Sequence, residues 1–312
     1  MSNVRPPTEN YNKLLHIYKG KCLTKPHVKK YQKVIVFDLD ETLGSFSDLN
    51  ILWTGLEKMR KTHTEPIEQQ KEFNRLLDLY PEFLRYGIMQ ILDYLVVKKK
   101  QGECDKVYIY TNNICTPPWV SLLSNYLNFK LTSKSGTEIE LFDKAICAFK
   151  INNKVIELSR TTKNKTYNDF IKCTLLPRCT EVCFLDNTYY PEMLNEKVYY
   201  IQPLAYIHNM NTNDIIDRFL HSTIGYDYMI SCNKGLREFL YDWFEMNGGI
   251  RYRVQKTVEM DAFVAQKIMY HVKEFFYLTQ RKNKSKKNKP KLTRLTRKNM
   301  NSPPSPSTPL RT

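Results

Sequence analysis

The chain has 312 residues, of which 42% are hydrophobic, and a formal net charge of +16. This apolar content is ordinary for a folded core, so the composition excludes a chain that is disordered throughout, and the length predicts one large domain or two small ones. Eleven of the 48 basic residues but none of the 32 acidic residues lie in residues 281–312, which leaves the first 280 residues at only +5.

The eight Cys residues form no CxxC pair, and several lie inside apolar runs, as Cys183 does. This usage is typical of reduced, buried thiols in an intracellular protein. The first residues contain no apolar segment of the kind that directs secretion, and no apolar run is long enough to span a membrane. We therefore expect an intracellular protein, in the cytoplasm or nucleus, without membrane contact.

The first part of the chain alternates between polar segments and short apolar runs. Residues 1–30 are polar and basic and predict a loosely ordered arm, whereas the β-branched run at residues 34–37 predicts a buried parallel strand. Residues 45–82 are mostly polar and helix-permissive, which indicates a small insertion after this strand. The apolar spacing from Phe83 to Lys98 then predicts an amphipathic helix.

The same alternation continues towards the C-terminus. Residues 106–110 predict a second strand, and Pro117 and Pro118 permit a helix to begin at residues 119–127. The further predicted elements are one or two strands within residues 139–156, a short helix at 168–173, strands at 182–185 and 198–201, and helices within 211–279.

This order of elements predicts an α/β fold built on a doubly wound parallel sheet. We assign the sheet to residues 31–210, a helical extension to 211–280, and a tail to 281–312 that is too polar to bury a core of its own. Ligands of such folds bind at the carboxyl ends of the strands. Polar groups follow three of the predicted strands, at Asp38, Thr111 and Asp186.

The run DLDETLG at residues 38–44 carries the first of these groups. Asp38 and Asp40 are two residues apart, and side chains at that spacing on a strand point to the same face. Two carboxylates on one face repel each other unless a cation or a proton lies between them. Mg²⁺ takes one or two carboxylates as ligands and leaves positions for phosphate and water, so the motif predicts magnesium-dependent phosphoryl transfer.

The residue types at the strand ends match the steps of that chemistry. One aspartate can attack phosphorus, while its neighbour protonates the leaving oxygen and then activates water. The charge on the transferred phosphate must also be neutralised. Thr111 and the backbone of its loop, including Asn112, can bind one phosphate oxygen, and Lys163 or Lys165 can supply the positive charge. Asp186 can orient the lysine.

Taken in order, these residues resemble the haloacid dehalogenase superfamily. The marks of that superfamily are DxDx[TV] after one strand, Ser or Thr after the next, a lysine, and an acidic strand end. They correspond here to DLDET at residues 38–42, Thr111, Lys165 and Asp186. Within the superfamily, FDLDETL and LDN resemble the phosphatases of the NLI-interacting-factor type, which act on the C-terminal domain of RNA polymerase II. The chain is similar in particular to the copies carried by large DNA viruses of the iridovirus type.

The resemblance covers residues 33–208 and implies a role for each matching side chain. Asp38 would be the nucleophile and a ligand of Mg²⁺, and Asp40 the acid and base, with its backbone carbonyl on the metal. Thr111 and Lys165 would hold the phosphate. Asn187 would be the third protein ligand of the metal.

The implied activity is hydrolysis of a phosphoprotein, with the C-terminal domain of RNA polymerase II as the first substrate to consider. The family lysine lies in a KDLS-like context that is absent here, so Lys163 and Lys172 stay open as alternatives to Lys165. The family often has Ser-Pro after Asp-Asn, whereas this chain has TYYP at residues 188–191. A small phosphometabolite or a nucleic-acid phosphate end is therefore an alternative substrate. A non-catalytic module whose basic tail contacts nucleic acid is a further interpretation.

Overall fold

The computed structural model describes residues 14–24, 31–60, 65–113, 118–151, 153–231, 235–252 and 258–287. The strands are, in chain order, β1 (Leu15–Lys19), β2 (Lys33–Phe37), β3 (Lys106–Tyr110), β4 (Lys144–Ile146), β5 (Lys150–Ile151), β6 (Lys154–Val155), β7 (Glu181–Leu185) and β8 (Val198–Pro203). The described residues form a central sheet with the order β1-β8-β7-β2-β3-β4 and a separate hairpin of β5 and β6.

The strand order reverses at β2, in the middle of the central sheet. β3 and β4 follow on one side of β2, and the chain then returns to place β7 and β8 on the other side, all five strands being parallel. In α/β folds the crevice outside the carboxyl ends of the strands at such a reversal is the usual place for a ligand. The predicted α/β class with a mostly parallel sheet is confirmed.

The edge strand β1 was not predicted. It pairs antiparallel with β8, from Leu15 opposite Pro203 to Lys19 opposite Tyr199. The expectation of a loosely ordered arm over residues 1–30 is therefore wrong at these residues. A strand with two partly buried apolar side chains gives little signal in the sequence, and pairing with β8 is what satisfies its backbone groups. Residues 1–13 and 25–30 lie outside the described ranges.

Helices cover the sheet. They are, in chain order, α1 (Ser47–Met59), α2 (Pro66–Asp78), α3 (Ile88–Lys100), α4 (Trp119–Ser135), α5 (Tyr167–Thr174), α6 (Thr212–Leu220), α7 (Thr223–Ser231), α8 (Leu236–Asn247) and α9 (Val258–Lys287). The helix expected from Phe83 begins at Ile88, because Gly87 before it has φ +75°, outside the helical region. The helix expected to end at residue 127 continues until Gly136, whose φ of +68° terminates it.

Two buried clusters lie on opposite faces of the sheet. In β2, Ile35 and Phe37 belong to one cluster and Val34 and Val36 to the other, because successive side chains of a strand point to opposite faces. The larger cluster includes side chains of α1 to α4 and of α6 to α9. The smaller one includes Phe170 of α5. The sheet is thus covered on both faces, as a parallel sheet requires.

The C-terminal tail begins later than the sequence predicted. The backbone of α9 continues to Lys287, so disorder from residue 281 onwards is contradicted for its first seven residues. Lys and Arg are good helix formers, and a basic segment can prolong a helix whose earlier turns pack on a core. Residues 288–312, with the expected nucleic-acid contact, lie outside the described part. Within the described ranges, no helix has both the length and the apolar composition needed to cross a bilayer.

Among the described residues, one cysteine differs from the expectation. The free thiols are Cys22, Cys104, Cys173, Cys179 and Cys183. Cys147, by contrast, is disulfide-bonded, so the prediction of reduced thiols throughout is wrong there. A pairing of this kind is decided by distance in the fold and leaves no mark in the residue spacing. Cys115 and Cys232 lie outside the described residues.

Candidate active site

The DLDETLG run leaves β2 as a tight turn. The Glu41 backbone N–H donates to the Gly44 carbonyl at 2.6 Å, and Glu41 has φ +58°, a left-handed value that is uncommon for residues other than glycine. A Cβ atom on Gly44 would lie 2.4 Å from the carbonyl oxygen of Phe83, so glycine is required there. The turn places Asp38 and Asp40 at the carboxyl edge of the sheet, where the strand order reverses.

Lys165 is the lysine that the structure brings to this turn. Its ammonium group donates to Asp38 Oδ1 and, at 2.6 Å, to Asp186 Oδ2, and all three side chains are buried. Lys163 and Lys172, the two alternatives left open by the sequence, are exposed. Lys165 directly precedes Thr166, the N-cap residue of α5, whose hydroxyl accepts a hydrogen bond from the Asp169 backbone N–H.

The carboxyl groups around Lys165 carry more negative charge than one ammonium can neutralise. Burial and, to a smaller degree, the charge of Asp38 raise the pKa of Asp40 to about 6. Burial likewise raises the pKa of Asp186 to about 7, although Lys165 opposes this shift. Burial alone would lower the pKa of Lys165, but Asp38 and Asp186 reverse that effect and raise it. The lysine is therefore charged, and the site favours a further cation or a proton.

The loop after β3 provides the polar groups opposite Asp40. Thr111 is buried, and its hydroxyl accepts a hydrogen bond from the Asn113 backbone N–H at 3.0 Å. The Asn113 side chain donates to Asp40 Oδ2 at 2.8 Å. Asn112, expected to bind phosphate, lies in this loop, but its side chain is held by Arg160 at 2.8 Å and by the Tyr190 hydroxyl at 3.0 Å. These contacts use the side-chain oxygen and one of the two amide N–H groups of Asn112.

Asn187 lies next to the turn of the first motif. Its side-chain oxygen accepts from the Thr42 hydroxyl at 2.9 Å, and its amide nitrogen donates to Glu41 Oε2 at 3.1 Å. The Asn187 backbone N–H also donates to the Thr42 hydroxyl, at 3.1 Å. These contacts join the end of β7 to the end of β2, so the expected metal ligands Asp38, Asp40 and Asn187 all lie at one edge.

The side chains at this edge fit a magnesium ion by their chemistry. The donors expected to hold it are a carboxylate of Asp38, the backbone carbonyl of Asp40 and the amide oxygen of Asn187, and Mg²⁺ prefers such oxygen ligands. No group of three His, Cys, Asp or Glu side chains in the described ranges could hold a metal ion. An ion here would thus depend on the carbonyl and the amide, and it would offset the excess of carboxyl groups.

Three residues of the site carried no signal that sequence reasoning used. Asn113 contacts Asp40, as described above. The buried guanidinium of Arg85 donates to the carbonyls of Glu41 and Thr42 and, at 2.8 Å, to that of Leu204. These hydrogen bonds fix the turn at residues 38–44 against the segment that follows β8. Arg160 is the third, and its role depends on contacts with three loops.

Comparison of the chain with protein-family models, with curated proteins and with solved structures finds no match.

Proposed function

We propose that the protein is a Mg²⁺-dependent phosphatase of the haloacid dehalogenase type that acts through an aspartyl-phosphate on Asp38. The observation that carries this proposal is the buried Lys165, which joins Asp38 to Asp186 at the point where the strand order reverses. Lys165 can orient the carboxylate nucleophile, and Asp40, two residues further on, can act as its proton donor.

The proposed reaction assigns different tasks to the two aspartates of the motif. Lys165 holds Asp38 Oδ1, which leaves the second oxygen of this carboxylate to attack phosphorus and form an acyl-phosphate. Asp40, with its pKa at about 6, donates a proton to the leaving oxygen and later takes one from the water that cleaves the intermediate. The hydrogen bond from Asn113 orients the Asp40 carboxyl group for both transfers.

The remaining groups hold the phosphate. Thr111 and Lys165 would contact its oxygens. Lys165 donates to Asp38, and Thr111 lies in the loop whose Asn113 donates to Asp40, which supports these roles. Asp38, the Asp40 carbonyl and Asn187 would hold Mg²⁺, which supplies neutralisation of the phosphate charge. Asp186 keeps the lysine in place through the 2.6 Å hydrogen bond.

For the substrate we propose a macromolecule. It is a phosphorylated Ser or Thr in a peptide like those of the C-terminal domain of RNA polymerase II. The helices of the insertion at residues 45–82 support this, because α1 and α2 bury Leu52 and Leu76 in the main core and are not free to close over a small molecule. The motif resemblance supports the peptide class. Small phosphometabolites and nucleic-acid phosphate ends remain the alternatives to be tested.

The proposal is tested with purified protein and p-nitrophenyl phosphate. We expect hydrolysis that requires Mg²⁺, that is lost on chelation, and that is abolished in Asp38→Asn, since the amide cannot form the acyl-phosphate. Equal turnover by the wild type and Asp38→Asn would overturn the nucleophile assignment. Turnover of phosphopeptides, sugar phosphates and 3′-phosphate oligonucleotides under the same conditions then ranks the substrate classes.

A further inference from the structure

Arg160 is a buried cation beside the candidate site. The residue is 2% exposed and follows β6 in the segment of the chain that leads to α5. The guanidinium donates five hydrogen bonds, all to uncharged oxygens. They run from Nη1 to the carbonyls of Thr111 (3.1 Å) and Cys147 (2.7 Å), and from Nη2 to Asn112 Oδ1 (2.8 Å) and the carbonyls of Lys163 (2.9 Å) and Asn164 (3.3 Å).

These acceptors belong to three separate segments of the chain. Thr111 and Asn112 follow β3 and are the proposed phosphate loop, and Cys147 follows β4. Lys163 and Asn164 directly precede the catalytic lysine. The planar fork of an arginine can satisfy several acceptors in fixed directions at once, whereas a lysine ammonium cannot reproduce that geometry. Arg160 therefore sets the distance between the phosphate loop and the segment that carries Lys165.

The charge of Arg160 has no direct counterion within the described residues. It forms no ion pair there, and its Nε atom is buried without a hydrogen-bond partner. Its guanidinium carbon lies 5.0 Å from the centre of the Tyr110 ring, and the Lys165 ammonium lies 5.8 Å from the centre of the same ring. Two buried cations thus share one aromatic neighbour, next to the loop of Thr111. A buried charge without a counterion is unfavourable unless a ligand neutralises it.

We propose that Arg160 is a positioning residue of the phosphate site. Its fork holds the Thr111 loop and the Lys165 segment in register, and its charge, which has no direct ion pair within the described residues, strengthens binding of the phosphate dianion. The role in turnover rests on the proposed phosphatase function, whereas the effect on phosphate affinity does not.

The experiment compares Arg160→Lys, which keeps the charge and loses the fork, with Arg160→Met, which loses both. The matched control is Arg178→Met, since Arg178 is exposed. The kinetic constants kcat and KM are measured with p-nitrophenyl phosphate, and the Kd of inorganic phosphate is measured by titration calorimetry, all with Mg²⁺. Circular dichroism reports the folded fraction of each variant.

We expect both Arg160 variants to lower kcat by about 10²-fold, because displaced groups no longer meet the phosphate in the reactive geometry. Arg160→Met should also weaken phosphate binding by about tenfold, because it removes one partly screened charge near the bound anion, while Arg160→Lys, which keeps the charge, should lose clearly less affinity than Arg160→Met. Arg178→Met should match the wild type in every measurement.

Wild-type kcat and phosphate Kd in folded Arg160→Met would show a role in stability alone and overturn the proposal. Equal loss of affinity in Arg160→Lys and Arg160→Met would overturn the part that concerns charge. If Arg160→Met does not fold, Arg160→Lys decides the question, since wild-type kcat in that variant contradicts the positioning role. If the wild type binds phosphate but hydrolyses nothing, the phosphatase function is wrong and the comparison of phosphate affinities still tests Arg160. If the wild type binds no phosphate, both the phosphatase function and the role of Arg160 are wrong.

Discussion

Two groups of buried charges lie in different regions of this molecule. At the carboxyl edge of the sheet, Lys165 contacts Asp38 and Asp186. Under the helices, Asp48 of α1 is paired with His208 at 3.0 Å and with Arg251 at 3.1 Å. Both groups are held by contacts distant in sequence, so burial and ion pairing alone do not distinguish a catalytic site from a structural one.

The balance of charge and the position in the fold do distinguish them. At the edge, Asp38, Asp40 and Asp186 exceed the one ammonium, and burial raises the pKa of Asp40 to about 6. The edge also lies where the strand order reverses, which is the usual place for a ligand in α/β folds. Asp48 instead has two basic partners and lies in α1 among residues of the main core. We therefore interpret the first group as chemical and the second as structural.

The largest expected effect is a loss of activity when Lys165 is replaced at the carboxyl edge of the sheet. In the proposed mechanism Lys165 orients Asp38 and contacts the phosphate, so we expect Lys165→Ala to lower kcat by about 10²–10³-fold. The exposed Lys163 and Lys172 should each tolerate replacement by Ala with activity near that of the wild type. Steady-state kinetics on p-nitrophenyl phosphate checks this. A larger loss at Lys163 or Lys172 than at Lys165 would reverse the assignment.

The next largest effect is a loss of stability when Asp48, in the group of charges under the helices, is replaced. In Asp48→Ala, His208 and Arg251 lose their buried carboxylate, and we expect the free energy of unfolding to fall by about 3–5 kcal/mol. Activity per folded molecule should be unchanged. Urea denaturation together with kinetics below the transition tests both statements, with the exposed Asp242→Ala as control. Loss of kcat in folded Asp48→Ala would remove the distinction between the two groups.

A smaller effect is expected at the turn that supports the edge. Gly44→Ala places a Cβ atom 2.4 Å from the Phe83 carbonyl oxygen, and overpacking of this kind costs about 1–3 kcal/mol. The turn must shift, so turnover should fall as well. Gly102→Ala is the comparison, because nothing lies within 4 Å of its Cβ and only the strain of its φ of +65° is felt. Thermal unfolding and kcat of both variants test the requirement for glycine, and equal behaviour would contradict it.

The smallest effect concerns a third, half-buried group between α9 and β8. The Tyr199 hydroxyl lies 2.8 Å from His271 Nδ1, and burial lowers the pKa of His271 although Glu274 opposes this. The unfolded chain then binds more protons near pH 6.5, so the free energy of unfolding should decrease as the pH falls from 7.5 to 5.5. His271→Gln should reduce this decrease, and the exposed His221→Gln should not. Urea denaturation at both pH values gives the comparison, and an unchanged pH dependence in His271→Gln would refute it.

The sequence by itself determined the features that depend on short-range periodicity. The bounds of β3 and the placement of two carboxyl groups after β2 follow from an apolar run and a spacing of two residues. The mostly parallel sheet followed from the alternation of strands and helices, because parallel strands need a crossover between them.

Only the tertiary structure decided which side chains complete the site. Lys165 reaches Asp38 across 127 positions of sequence, and nothing local separated it from Lys163 or Lys172. Arg85 and Arg160 are buried, and their guanidinium groups donate to backbone carbonyls. Because every residue has a carbonyl, no pattern of residue types in the sequence predicts these contacts. The edge strand β1 likewise depends on pairing with β8. Contacts of this kind arise from the path of the whole chain, which short-range periodicity does not encode.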